Sequence, residues 1–169
     1  MKTQPTPQRT IDVYFAKYNE YHANRINRII NYICIPVIMF SILGFVWSLP
    51  FPHLGFLGSY NGMFTWASFL IAFSIYYYYR QSPILSYVML LIIFAFAYGV
   101  VQLEAWQKAG GMILPQVCII LFVIANILQL IGYKLERKKQ PMLFWDFKFL
   151  LIGPLWLMSL ILKRFKIKY

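Results

Sequence analysis

Apolar residues gather into long runs separated by short polar breaks, at residues 29–47, 63–79, 84–103 and 112–133. Each run holds 17 to 22 residues, and at 1.5 Å rise per residue such a length crosses about the 30 Å hydrocarbon core of a bilayer. The pattern predicts four transmembrane helices. Ahead of them, residues 12–30 read as one amphipathic helix, with Ile11, Tyr14, Phe15, Tyr18 and Tyr21 crowding one side among Lys17, Glu20 and Arg25. That distribution suits the membrane interface. A fifth run, residues 147–162, has 16 residues and is interrupted by Gly153 and Pro154. The proline removes a backbone donor in mid-run.

The breaks carry turn chemistry. Residues 48–62 hold Pro50, Pro52, Gly55 and Gly58, and Arg80, Gln81, Ser82 and Pro83 form a tight polar turn, both read as loops between helices. The first 28 residues are polar and charged, so the first run starts too late for a cleaved signal peptide and is expected to be retained. The chain reads as one membrane domain over residues 1–169, with a cytoplasmic or interfacial segment at 1–28, the transmembrane helices at 29–133, and a basic loop with its last helix at 134–169.

Charge sets the orientation. With both termini cytoplasmic, 15 of the 16 basic residues face inward and Lys108 alone faces out. A fifth crossing would strand Lys163, Arg164, Lys166 and Lys168 outside and leave 11 of 16 inside, against the positive-inside rule. The fifth run is therefore expected to be a short re-entrant or interfacial helix. The fold class is all-α, a polytopic membrane helical bundle of about four transmembrane helices with an interfacial N-terminal helix.

Composition agrees. The chain is 60% hydrophobic and 20% aromatic, with a mean hydropathy of +0.60, beyond the roughly 45–50% apolar share of soluble domains. A net charge of +11 lying between apolar runs matches anionic headgroups and excludes a nucleic-acid surface, which needs its charge on a water-soluble body. Membrane lipids are the expected partners. Cys34 and Cys118 each sit inside an apolar run at different depths and are read as buried apolar side chains. The absence of a Lys-Asp-Glu-Leu type ending favours the bacterial inner membrane over the endoplasmic reticulum.

Two polar sets interrupt the apolar pattern. Asn126, Gln129, Tyr133 and Glu136, at offsets of 0, 3, 7 and 10, share one face of the fourth transmembrane helix. Polar groups in hydrocarbon are costly, so this face needs a pocket, a metal or interhelical hydrogen bonds. His22, Asn24, Asn27 and Asn31 stand at the start of the first transmembrane helix, at the same cytoplasmic level. His22 and Asn31 converge only if the chain bends near Asn24. Taken alone, this is a thin metal signal, because the chain has only His22 and His53, the latter in the Pro/Gly loop.

At these residues the chain resembles a family of small membrane proteins whose fungal members are iron-dependent 2-hydroxy fatty acid dioxygenases of the endoplasmic reticulum. The first block of the resemblance is Tyr18, His22, Asn27 and Asn31, with Pro36 following. The second is Gln129, Gly132, Tyr133, Lys134, Glu136, Arg137, Lys138, Lys139 and Pro141, ending in Leu151, Ile152, Gly153, Pro154, Leu155 and Trp156. Asn31 and Tyr133 stand where the family pattern has histidine. The resemblance implies Fe(II) held at His22, Asn31 and Tyr133, with Asn27, Gln129 and Glu136 as catalytic support. It also implies a fatty-acyl substrate whose carboxylate lies among Arg25, Arg28, Lys134 and Arg137. The alternative is a non-catalytic relative that keeps the lipid-binding fold while its metal site has become a hydrogen-bond network. A small transporter is a third class, disfavoured because no charged residue lies deep in a span.

Overall fold

The structure, a computed structural model, describes residues 10–22, 24–55, 58, 64–135, 147–164 and 166. Among them are six helices and no strand: α1 (Thr10–Tyr21), α2 (Arg25–Trp47), α3 (Trp66–Gln81), α4 (Pro83–Lys108), α5 (Leu114–Leu135) and α6 (Phe147–Arg164).

The expected single helix over residues 12–30 is two helices. Asn24 takes extended backbone angles and its side chain accepts a hydrogen bond from the Ile26 N–H at 2.8 Å, so α2 starts afresh on an N-cap. A second break is built into Ser82. It precedes Pro83, which disfavours helical angles, and it ends α3 and opens α4 with extended backbone. The Gly153 and Pro154 interruption is not one: α6 runs through both.

The most extensive packing joins α2 to α5. On α2, Asn27, Asn31, Cys34, Ile38 and Ser41 are buried, spaced by three and four so that they form one stripe. The facing stripe of α5 is Cys118, Ala125, Gln129, Gly132 and Tyr133. Both cysteines are free thiols. Close approach at the far end depends on Gly44, where an added Cβ would lie 2.6 Å from Cys118 Sγ. Gly44→Val is accordingly expected to overpack this seam and cost about 1–3 kcal/mol, read as a lower melting temperature in detergent.

Helices α2, α4 and α5 are long and apolar enough to cross a membrane, and their outer faces stay apolar, as with Ile119, Ile124 and Leu91. Helix α3, with 16 residues, covers about 24 Å at the helical rise, short of a full span by itself. On the remaining side α1 buries Ile11, Phe15 and Tyr18 at intervals of four and three. It packs on α6, which also meets α2 and α4. In α6 every residue from Ile152 to Leu157 is buried, so protein covers this stretch of the helix all round.

Candidate functional site

The turn between α1 and α2 brings the polar residues together. His22 follows α1 and is 1% exposed. Its Nδ1 lies 2.8 Å from the Tyr18 carbonyl oxygen; a carbonyl only accepts, so Nδ1 carries the proton and the imidazole lone pair sits on Nε2, which is buried. Arg28 holds the turn in place: its Nε and Nη2 donate to the His22 carbonyl at 3.2 and 3.1 Å, satisfying a backbone acceptor at the end of α1 with the guanidinium fork.

Aromatic rings enclose the imidazole. Tyr18 stacks on it at 4.6 Å and 6°, Trp156 of α6 lies at 5.1 Å, and Tyr133 of α5 meets it edge-on at 5.9 Å. Trp156 is itself fixed, since its Nε1 donates to Asn19 Oδ1 at 2.9 Å. Burial pushes the Tyr18 phenol well above its ordinary pKa, with the nearby Tyr133 adding to the effect, so Tyr18 stays neutral. Its hydroxyl fits against α6 because position 153 is glycine; an added Cβ there would lie 2.9 Å from it.

Beside this box stands an amide ladder. Asn31 Nδ2 donates to the Asn27 carbonyl and to Asn27 Oδ1, both at 2.9 Å. The backbone carbonyl fixes which end of the Asn31 amide is nitrogen, so its Oδ1 is the acceptor facing α5, where Gln129 Nε2 donates to it at 2.9 Å. Gly132 makes room for the ladder, since a Cβ at that position would lie 2.6 Å from Asn27 Oδ1.

The predicted residues thus fall into groups. His22 meets Tyr133, and Asn27, Asn31 and Gln129 join one another. Arg25 and Lys134 are exposed, Arg28 braces the turn, and Glu136 and Arg137 lie outside the described residues. Asn126 does not join the cluster, as its Nδ2 donates to the Phe122 carbonyl of its own helix at 2.7 Å. Sequence reasoning missed Trp156 and Asn19 as walls of the box; the signal was the Trp closing the α6 motif, an apolar residue with one donor to satisfy.

Fe(II) takes imidazole and carboxylate ligands. His22 offers one nitrogen. The Asn31 oxygen already accepts from Gln129, and Tyr133 offers a phenol, neither an imidazole nor a carboxylate. No group of three His, Cys, Asp or Glu able to hold a metal exists among the described residues. The described residues do not fit resident Fe(II).

Residues 8–165 match the model of a family described as Mpo1-like, 2-hydroxy-palmitic acid dioxygenase Mpo1-like. No curated protein and no solved structure matches the chain.

Proposed function

The chain belongs to the Mpo1-like family, described as 2-hydroxy-palmitic acid dioxygenase Mpo1-like, and from that premise we propose that it binds 2-hydroxy fatty acids in the membrane without a resident iron. The carboxylate rests at the exposed cations Arg25 and Lys134, where water and charge both favour it. The acyl chain lies among the apolar helix faces, and the 2-hydroxyl reaches toward His22 and Tyr133. One observation carries the metal-free reading: Asn31, in a position where the family pattern has histidine, has its amide bonded at both ends, to Asn27 and to Gln129. With both amide hydrogens donated and one oxygen lone pair taken by Gln129, Asn31 keeps a single neutral lone pair, a weak ligand for Fe(II) beside the imidazole and carboxylate that iron takes well.

A second reading, an Fe(II) dioxygenase with His22, Tyr133 and Glu136 as ligands, is favoured by the tautomer of His22. A carbonyl on Nδ1 that turns Nε2 inward is the arrangement metal-binding histidines adopt. Metal analysis separates the two. The purified chain, loaded anaerobically with ferrous iron and washed, is expected to retain far less than one iron per chain while binding 2-hydroxypalmitate in lipid nanodiscs. Stoichiometric iron that disappears in His22→Ala, with consumption of O2 and the 2-hydroxy acid, would establish the second reading instead.

A further inference from the structure

The side chain of Tyr133 is 7% exposed, and its hydroxyl is buried with no hydrogen-bond partner among the described residues. A buried hydroxyl left unpaired is destabilising, so its retention calls for a physical reason. The neighbouring amides do not supply one, because Asn27, Asn31 and Gln129 are bonded to one another. The ring meets His22 edge-on at 5.9 Å, and Asn27 Oδ1 lies against the neighbouring Gly132, 2.6 Å from where a Cβ would stand. The phenol O–H is a buried donor inside the site.

We propose that the Tyr133 hydroxyl is the specificity group, donating its hydrogen bond to the 2-hydroxyl oxygen of a bound 2-hydroxy fatty acid. The proposal rests on the fatty-acid reading above and adds the group that separates a 2-hydroxy acid from its unsubstituted parent. The choice between the two polar ends of such a ligand follows from desolvation. Taking a carboxylate out of water costs far more than taking a hydroxyl, so the carboxylate stays at exposed Arg25 and Lys134. The neutral hydroxyl, on the adjacent carbon, goes inward to the neutral donor. An acid without the hydroxyl leaves that donor unpaired, and sites built on a ligand hydroxyl discriminate strongly for this reason.

The test is equilibrium binding of radiolabelled 2-hydroxypalmitate and palmitate to the full chain in nanodiscs, with melting curves alongside. The unaltered chain is expected to prefer the 2-hydroxy acid by about tenfold or more, and Tyr133→Phe to narrow the preference to about twofold by losing affinity for the 2-hydroxy acid alone. Because phenylalanine also removes the orphaned hydroxyl, ligand-free Tyr133→Phe is expected to melt at or above the parent, yet gain less stability from 2-hydroxypalmitate than the parent does, and about as much as it gains from palmitate. A variant that keeps the preference shows that another group reads the 2-hydroxyl, and overturns the proposal while leaving the fatty-acid reading standing. A ligand-free variant melting well below the parent also overturns it, since the hydroxyl is then already bonded. If the unaltered chain binds neither acid, the fatty-acid reading itself fails and the proposal with it.

Discussion

The double variant Asn31→His, Tyr133→His is expected to hold close to one Fe(II) per chain where the unaltered chain holds little. The geometry for it is present. Asn31 Nδ2 bonds to the carbonyl four residues back, that of Asn27, just as His22 Nδ1 bonds to the Tyr18 carbonyl four residues back. A histidine at 31 keeping that bond from Nδ1 would turn Nε2 away from its own helix, as His22 does. At position 133 the present ring centroid lies 5.9 Å from that of His22, a separation of the order two imidazoles adopt when sharing an ion at metal–nitrogen distances of about 2.1 Å. Without metal the double variant is expected to be less stable, because Gln129 loses its acceptor and an unpaired buried amide costs about 1–3 kcal/mol. Ferrous iron is expected to restore the melting temperature by mass action. Metal analysis after anaerobic gel filtration reads the first effect and differential scanning fluorimetry the second. A double variant that stays folded but takes up no iron would show that residues other than 31 and 133 keep the metal away, and would remove the main support for reading the amide ladder as its replacement.

How far the chain itself announced this arrangement varies by residue. The apolar runs at 29–47, 84–103 and 112–133 reappear as α2, α4 and α5 with their ends shifted by up to five residues, because a span of hydrocarbon length leaves few other options. That Ile11, Phe15 and Tyr18 share one face was equally legible from their spacing of four and three, but what covers that face was not: the pattern suits a membrane interface, and in the fold it packs on α6. The break after His22 was legible only as a condition, a bend near Asn24 needed to bring His22 toward Asn31, and the outcome turned on the Asn24 side chain capping Ile26, a local competition that periodicity does not report. Arg28 shows a different limit. As a cation beside a polar cluster it read as a ligand for a carboxylate, but once the chain turns at Asn24 the nearest unmet acceptor is the His22 carbonyl, and the guanidinium goes there. Asn126 failed for the converse reason. It shares the spacing of Gln129 and Tyr133, but a helix offers an asparagine its own carbonyl one turn back, and Asn126 takes that of Phe122. Nothing in the sequence placed α6 against the turn, because that contact depends on how the chain returns after α5.

Trp156→Ala is the substitution expected to cost most stability. Trp156 is fully buried, and its ring forms a wall shared by Tyr18 at 4.8 Å, His22 at 5.1 Å and Tyr32 at 6.0 Å. It links three helices at once: it is carried by α6, its indole N–H is bonded to Asn19 of α1, and it touches Tyr32 of α2. Removing a buried tryptophan typically costs about 3–5 kcal/mol, the lost contacts and the cavity together. For a chain of this length that corresponds to a drop of roughly 10 °C in melting temperature. Trp156→Phe keeps most of the ring surface and loses the bond to Asn19, so its penalty is expected to be nearer 1–2 kcal/mol. The ordering matters more than either value, because it distinguishes a packing wall from a hydrogen-bond anchor. If both variants melt alike and far below the parent, the Asn19 bond carries the link between α1 and α6. If neither moves by more than about 2 °C, α6 does not hold the turn, and the orientation of His22 must depend on Arg28 and Tyr18 alone. With the expected ordering, α6 is the element that closes the box around His22, and the loss of ligand binding in Trp156→Ala should exceed that in Trp156→Phe in the same proportion as the loss of stability.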